Sequence, residues 1–178
     1  MNRLTLEQLD LQPRDRVLEV GFGGGDLLAS ALAITRAEIV GIDISEAMVA
    51  RAKRRFRRSD RLSLYATSAE RLPLADASID KACSVNNIYF WADPAAVMAQ
   101  VARVVRPGGI LAICFEPADE LRKWPGHRFG FRLFEAGEVE RLMRGAGFGP
   151  VTTVEGAGRK PDRFLCLSAR RLGAEKEI

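Results

Sequence analysis

The run Val17-Leu-Glu-Val-Gly-Phe-Gly-Gly-Gly25 limits the folds open to this chain more than any other segment. Arg16 to Val20 reads as a short buried strand, and it empties directly into glycines. Glycine lets the backbone take positive φ and come close to a ligand. Asp26 to Ile34 then reads as a helix, with Leu28 and Leu32 one turn apart. A strand that turns through glycines into a helix opens a β-α-β unit, so the rest of the chain is expected to repeat the alternation.

The pattern continues along the sequence. Glu38 to Ile42 is a second apolar run that ends at Asp43, and Ser45 is a good N-cap for the helix behind it. That helix places Met48, Val49, Ala52 and Phe56 on one face. Leu62 to Ala66 and Lys81 to Val85 read as the third and fourth strands. Asp93 as cap and Pro94 as first residue start another helix, with Val97, Met98, Val101, Val104 and Val105 as its buried stripe. Arg106-Pro-Gly-Gly109 stops it. Ile110 to Phe115 is apolar nearly throughout, which suits a parallel strand covered on both faces. Glu116 to Leu133 is the longest break in periodicity, and loops of that length are often functional. Phe134 to Ala146 reads as a helix ended by Gly147. Val151 to Glu155 and Arg163 to Arg170 follow, joined by a loop of Gly156, Gly158 and Pro161. With no helix between them they read as an antiparallel pair. The fold class is α/β: a doubly wound, mostly parallel sheet with helices on both faces. Ligands of such sheets bind beyond the carboxyl ends of the strands.

Bulk properties narrow the setting. The chain has 178 residues, 47% of them hydrophobic and 28% charged, which suits one ordinary domain over 1–178. Within it, 1–15 is a short N-terminal segment and 173–178 a flexible tail. Cys83, Cys114 and Cys166 each sit in an apolar run and read as buried thiols of a reducing cytosol. Met1 to Gln12 has no apolar signal core. No stretch approaches the ~20 apolar residues of a membrane span. A cytoplasmic location is expected. The net charge is +4, and Arg51, Lys53, Arg54, Arg55, Arg57 and Arg58 supply much of the positive side. They read as the solvated face and cationic end of a helix, ahead of a nucleic-acid contact. One histidine and scattered cysteines make no metal site.

The ligand of the glycine loop follows from its register. A dinucleotide site needs G-x-G-x-x-G or A. Counting from Gly21 the sixth residue is Asp26, and from Gly23 it is Leu28. Both fail, and an acid at the helix start opposes a pyrophosphate there. No Gly-Lys-Ser/Thr follows for a P-loop. The register E-x-G-x-G-x-G fits instead, with Glu19, Gly21, Gly23 and Gly25.

On those residues the segment resembles the first motif of class I S-adenosylmethionine (SAM)-dependent methyltransferases, and is most similar to small-molecule enzymes of the ubiquinone/menaquinone-biosynthesis type. Further matches run in order to Phe148. Thr67-Ser-Ala-Glu-Arg-Leu-Pro73 resembles the family's G-D-A-E-x-L-P. Ser78-Ile-Asp80 resembles S-F-D. Arg103 to Gly109 resembles R-x-L-x-P-G-G. The resemblance implies a Rossmann-like seven-stranded sheet of order 3-2-1-4-5-7-6 with the last strand antiparallel. It implies SAM as cofactor and S-adenosylhomocysteine as product. The cofactor site it implies is Glu19, Gly21, Phe22, Gly23, Gly25, Asp43, Ile44, Met48, Ser68, Ala69 and Asn86. Asp43, 20 residues after Gly23, accepts the ribose hydroxyls in this reading; capping the next helix is its plainer alternative. Met48 packs on the ribose or adenine, or in the core. Ser68 stands where the family often has an aspartate, so the adenine contact shifts toward the backbone N–H of Ala69.

Methyl transfer is an in-line displacement that asks the protein mainly for positioning. A base is needed only where the acceptor must lose a proton. His127 and Tyr89 are the candidates for that role, against a surface-loop histidine and a core tyrosine. Asn87, Tyr89 and Trp91, after the fourth strand, are the candidate acceptor contacts. Asn-Asn-Ile-Tyr is not the Asn/Asp-Pro-Pro-Tyr of base-modifying enzymes, so a small-molecule acceptor ranks above nucleic acid. Family members carry a helical segment before the first motif that helps cover the acceptor, and about fifteen residues precede Arg16 here. The lid is then made elsewhere, comes from a second subunit in a homodimer or a partner complex, or belongs to a longer chain. An active methyltransferase leads. A SAM-binding protein that needs a partner comes next, and a nucleotide-cofactor oxidoreductase last.

Overall fold

The computed structural model describes residues 1–158 and 162–173. The loop residue Pro161 and positions 174–178 of the expected tail lie outside the described residues. Seven strands form one sheet: β1 (Val17–Val20), β2 (Ile39–Asp43), β3 (Leu62–Ala66), β4 (Ile79–Val85), β5 (Val105–Phe115), β6 (Thr152–Ala157) and β7 (Arg163–Arg170). Their order is β3-β2-β1-β4-β5-β7-β6. Strands β1 to β5 pair in parallel, and β7 runs antiparallel to both β5 and β6. This is the expected topology.

Period-two alternation sends β1 into two cores. Leu18 and Val20 face a layer with Val97, Met98, Val101, Val139 and Met143. These come from α4 (Pro94–Val104) and α6 (Ala136–Gly145). Val17 faces the other layer, with Leu28 and Ala31 of α2 (Asp26–Ile34) and Val49 and Ala52 of α3 (Glu46–Arg55). Strands β1 and β2 are buried at every position, as parallel strands covered on both faces require. The helix starts follow the expected caps. Ser45 Oγ accepts the Met48 N–H at 3.3 Å, and Asp93 accepts from Ala95 and Ala96 at 3.0 Å. The three cysteines are free and buried. Among the described residues no helix is long and apolar enough to cross a membrane.

Element ends shift by a few residues, as where β6 takes in Gly156 of the expected loop, and three departures are larger. Residues Asn2–Leu9 form a helix, α1, whose Leu9 packs with Cys83, Ala112, Cys114 and Cys166. Strand β5 begins at Val105, five residues early, and takes the Arg106–Gly109 turn into its edge through a register shift opposite Ile79 and Lys81. A Cβ on Gly109 would meet the Asp80 and Arg106 carbonyls, so glycine is what the shift needs. Finally, the irregular 116–133 segment holds a short helix, α5 (Ala118–Leu121), and a 3-10 turn (Pro125–Arg128).

Candidate functional site

The glycine loop is the hinge between β1 and α2. Gly21, Gly23 and Gly25 have φ of 75°, 48° and 77°, values that exclude most L side chains at low strain. Asp43, at the end of β2, fastens the loop. Its Oδ2 accepts the Gly23 N–H at 2.9 Å and its Oδ1 accepts the Ser45 N–H at 2.9 Å. Arg55 closes the rim, donating to the Gly24 carbonyl and to Asp26. Gly21 also lies under the Asn87 side chain, which occupies the space a Cβ would fill. Gly21→Ala should therefore combine left-handed strain of about 1–2 kcal/mol with displacement of Asn87 from Trp91, whose Nε1 donates to Asn87 Oδ1 at 2.8 Å. A drop in Tm together with weakened cofactor binding is expected; an unchanged Tm would refute this packing.

Glu19 sits on β1 beneath the first turn of α2. It is 3% exposed, and its Oε2 is the one fully buried side-chain oxygen without a hydrogen-bond partner among the described residues. Burial, then the charge of Asp43, pushes its pKa from 4.5 up to about 8, with the Leu28 backbone offsetting part of the rise. Asp43 is a charge beside the loop, and Glu19, which keeps its proton at neutral pH until a cation approaches, can add a second, a setting for a cation and not for a pyrophosphate.

Two cavities open at the carboxyl edge of the sheet. The first, about 330 Å³, brings together Gly21, Asp43, Ile44, Ser68, Ala69, Asn87 and Trp91 with Phe90. The second, about 670 Å³, is lined by Met1, Asn86, Glu116, Glu120, Lys123, Trp124 and Phe131, among others. Asn86 and Asn87 thus stand in different walls. The cause is Asn86, whose φ of 53° turns the chain between the two side chains. An aromatic cluster joins the walls, with Phe90 of the first 4.6 Å from Phe131 of the second, centroid to centroid.

Several expected contacts lie elsewhere. The Phe22 and Met48 side chains pack between the sheet, α2 and α3 and line neither cavity. Tyr89 is 2% exposed. Its hydroxyl donates to Asn86 Oδ1 at 2.9 Å and accepts the Glu116 N–H at 2.5 Å. Burial pushes that phenol upward, so it is a strut between the ends of β4 and β5. His127 bonds through Nδ1 to the Trp124 carbonyl at 2.6 Å and lines neither cavity. Asn87 and Trp91, expected at the acceptor, line the first cavity with Asp43, and Asn86, whose main chain is expected to approach the cofactor, lines the second. Glu116, Glu120, Trp124 and Phe131 are new. Their only sequence signal was the irregular segment that holds or adjoins them.

Known proteins resemble this chain along most of its length. A profile of the methyltransferase domain matches residues 18–113. An uncharacterized methyltransferase of Bacillus subtilis, YdaC, is 31% identical over 173 residues, 96% of this chain and 91% of the relative. An O-methyltransferase of Pyrenophora dematioidea is 30% identical over 82% of this chain. The chain spans 60% of that relative's length and smaller shares of others, down to 32%. Among solved structures, geranyl diphosphate methyltransferase in complex with SAM superposes with a TM-score of 0.82 at 17% identity, over 96% of this chain and 84% of that one.

Proposed function

Because the chain belongs to the class I SAM-dependent methyltransferase family, we propose that it methylates a small organic acceptor held in the second cavity, with SAM in the first. The single observation that carries this reading is the buried, unpartnered Glu19 carboxyl oxygen beside Asp43. A buried acid left without a partner is costly, and a ligand that brings a fixed positive charge relieves it. SAM supplies that charge and, at its sulfonium, an activated methyl group.

The chain's own residues then divide the work. Asp43 uses the lone pairs left by its two backbone contacts to accept the ribose hydroxyls. Glu19 faces the cationic methionine end. The positive-φ glycines let the main chain approach. Ser68 and the Ala69 N–H take the adenine edge, and Asn87 and Trp91 close the first cavity over it. Asn86 stands on the acceptor side. The second cavity has the size and mixed lining usual for a small-molecule site, and catalysis rests on holding acceptor and donor in line. A calorimetric titration with SAM, S-adenosylhomocysteine and NAD(H) tests the reading. The first two should bind and the third should not; binding of NAD(H) alone would overturn it.

A further inference from the structure

We propose that Glu116 is the proton acceptor of the reaction, so that the methyl acceptor is a neutral molecule bearing an O–H or N–H group. The inference rests on the assignment of the second cavity to the acceptor. Glu116 follows the last residue of β5, at the edge where this fold binds its ligands. Its main chain is tied to β4 through Tyr89, which accepts the Glu116 N–H and donates to Asn86. Glu116 thus lines the second cavity together with Asn86, the neighbour in sequence of Asn87 in the first. Trp124 and Phe131 supply apolar wall around it.

Other groups facing Glu116 leave it basic. On α5, Glu120 opposes it with like charge. Lys123 is paired with Glu120 and not with Glu116. Asp162 at the start of β7 and Met1 at the start of α1 complete the wall. Burial first and Glu120 second raise the Glu116 pKa, and no cation lowers it. A carboxylate so placed accepts a proton better than one in water. Neither sequence candidate, His127 or Tyr89, has a free ring nitrogen or phenolate in this cavity.

In the step, the acceptor's O–H bond breaks as its oxygen gains the methyl carbon. The O–H pair stays with the product, and the proton passes to a Glu116 oxygen. The pair of the broken C–S bond leaves with sulfur. Charge balances, since a sulfonium and a carboxylate become a thioether and a carboxylic acid. The acid then returns its proton to water at the cavity mouth.

The test needs no known acceptor. Protein saturated with S-adenosylhomocysteine is titrated with 4-methylphenol, which keeps its O–H at neutral pH, and, separately, with 4-methylanisole, which lacks it. Wild type should prefer the phenol by about tenfold, the effect of one hydrogen bond to a charged group. Glu116→Gln should reduce that preference to within about twofold, and Glu120→Gln, which removes the like charge beside Glu116 but not the accepting carboxylate, should reduce it by less. S-adenosylhomocysteine affinity should be equal in all three proteins, which also reports that the variants are folded. Equal preference in wild type and Glu116→Gln overturns the role of Glu116 and leaves the cavity assignment standing. Loss of preference only in Glu120→Gln moves the role to Glu120. Failure of both probes to bind overturns the cavity assignment and the base with it, while S-adenosylhomocysteine binding continues to support the first cavity.

Discussion

Glu19→Gln should stabilise the free protein at neutral pH while weakening SAM binding at least tenfold. The Glu19 carboxyl titrates near 4.5 in an unfolded chain and at about 8 in the fold. Between those values the native state keeps a proton that the unfolded state has lost. The contribution of this group to stability is therefore intact at low pH and drains away as pH rises from 4.5 toward 8. At neutral pH the loss is on the order of 3 kcal/mol, at about 1.4 kcal/mol per pH unit. Gln removes that loss but keeps a buried, imperfectly paired amide, which returns about 1–2 kcal/mol. A net gain of ~1–2 kcal/mol is expected near neutral pH, vanishing toward pH 5. Denaturant titrations of both proteins across that range measure it. Binding moves the other way, because the variant no longer offers a negative charge to the cationic end of the ligand. The two opposite shifts together mark a residue kept for function against stability. A variant that binds SAM as wild type does would remove Glu19 from the site.

Much of this was legible before the fold was known, for identifiable reasons. Period-two and helical patterns are local, and so are caps; Ser45 and Asp93 cap as their positions predicted. The register of Glu19 and Asp26 around the glycines is local too, and it discriminated the ligand class. Helix α1 was not legible because its apolar residues, Leu4, Leu6 and Leu9, do not repeat at a clean helical period. What holds α1 is tertiary packing on Cys83, Ala112 and Cys166. The placing of Asn86 and Asn87 in the linings of different cavities was not legible either. It depends on one left-handed residue, and adjacent asparagines carry no mark of which one turns. Glu116 is a single acid after an apolar strand. Its meaning comes from Tyr89, Glu120 and Phe131, which only folding brings beside it.

Asp43→Ala should be the most damaging single change to SAM binding, lowering affinity by about a hundredfold or more. Ala removes the carboxylate proposed to accept two ribose hydroxyls, and hydrogen bonds to a charged group contribute about 1.5–3 kcal/mol each. It also strands the N–H groups of Gly23 and Ser45, which Asp43 now accepts at 2.9 Å. The glycine loop and the start of α3 thereby lose their common anchor, and stability should fall by about 1–3 kcal/mol. A residue that served only as a helix cap would give the fall in stability without the fall in affinity, so the pair of measurements separates the two roles. Asp43→Asn refines the test, since it keeps one acceptor oxygen and drops the charge. Affinity should fall by roughly tenfold. Because the Asp43 charge is the second cause of the raised Glu19 pKa, the Asn variant should also bring the Glu19 titration down toward its ordinary range. The pH at which SAM affinity saturates should then move lower. Neighbours that share one ligand and one electrostatic field do not act additively. The double variant Glu19→Gln/Asp43→Asn should therefore lose less affinity than the two single losses combined. Strict additivity would mean that the two acids act on separate parts of the molecule.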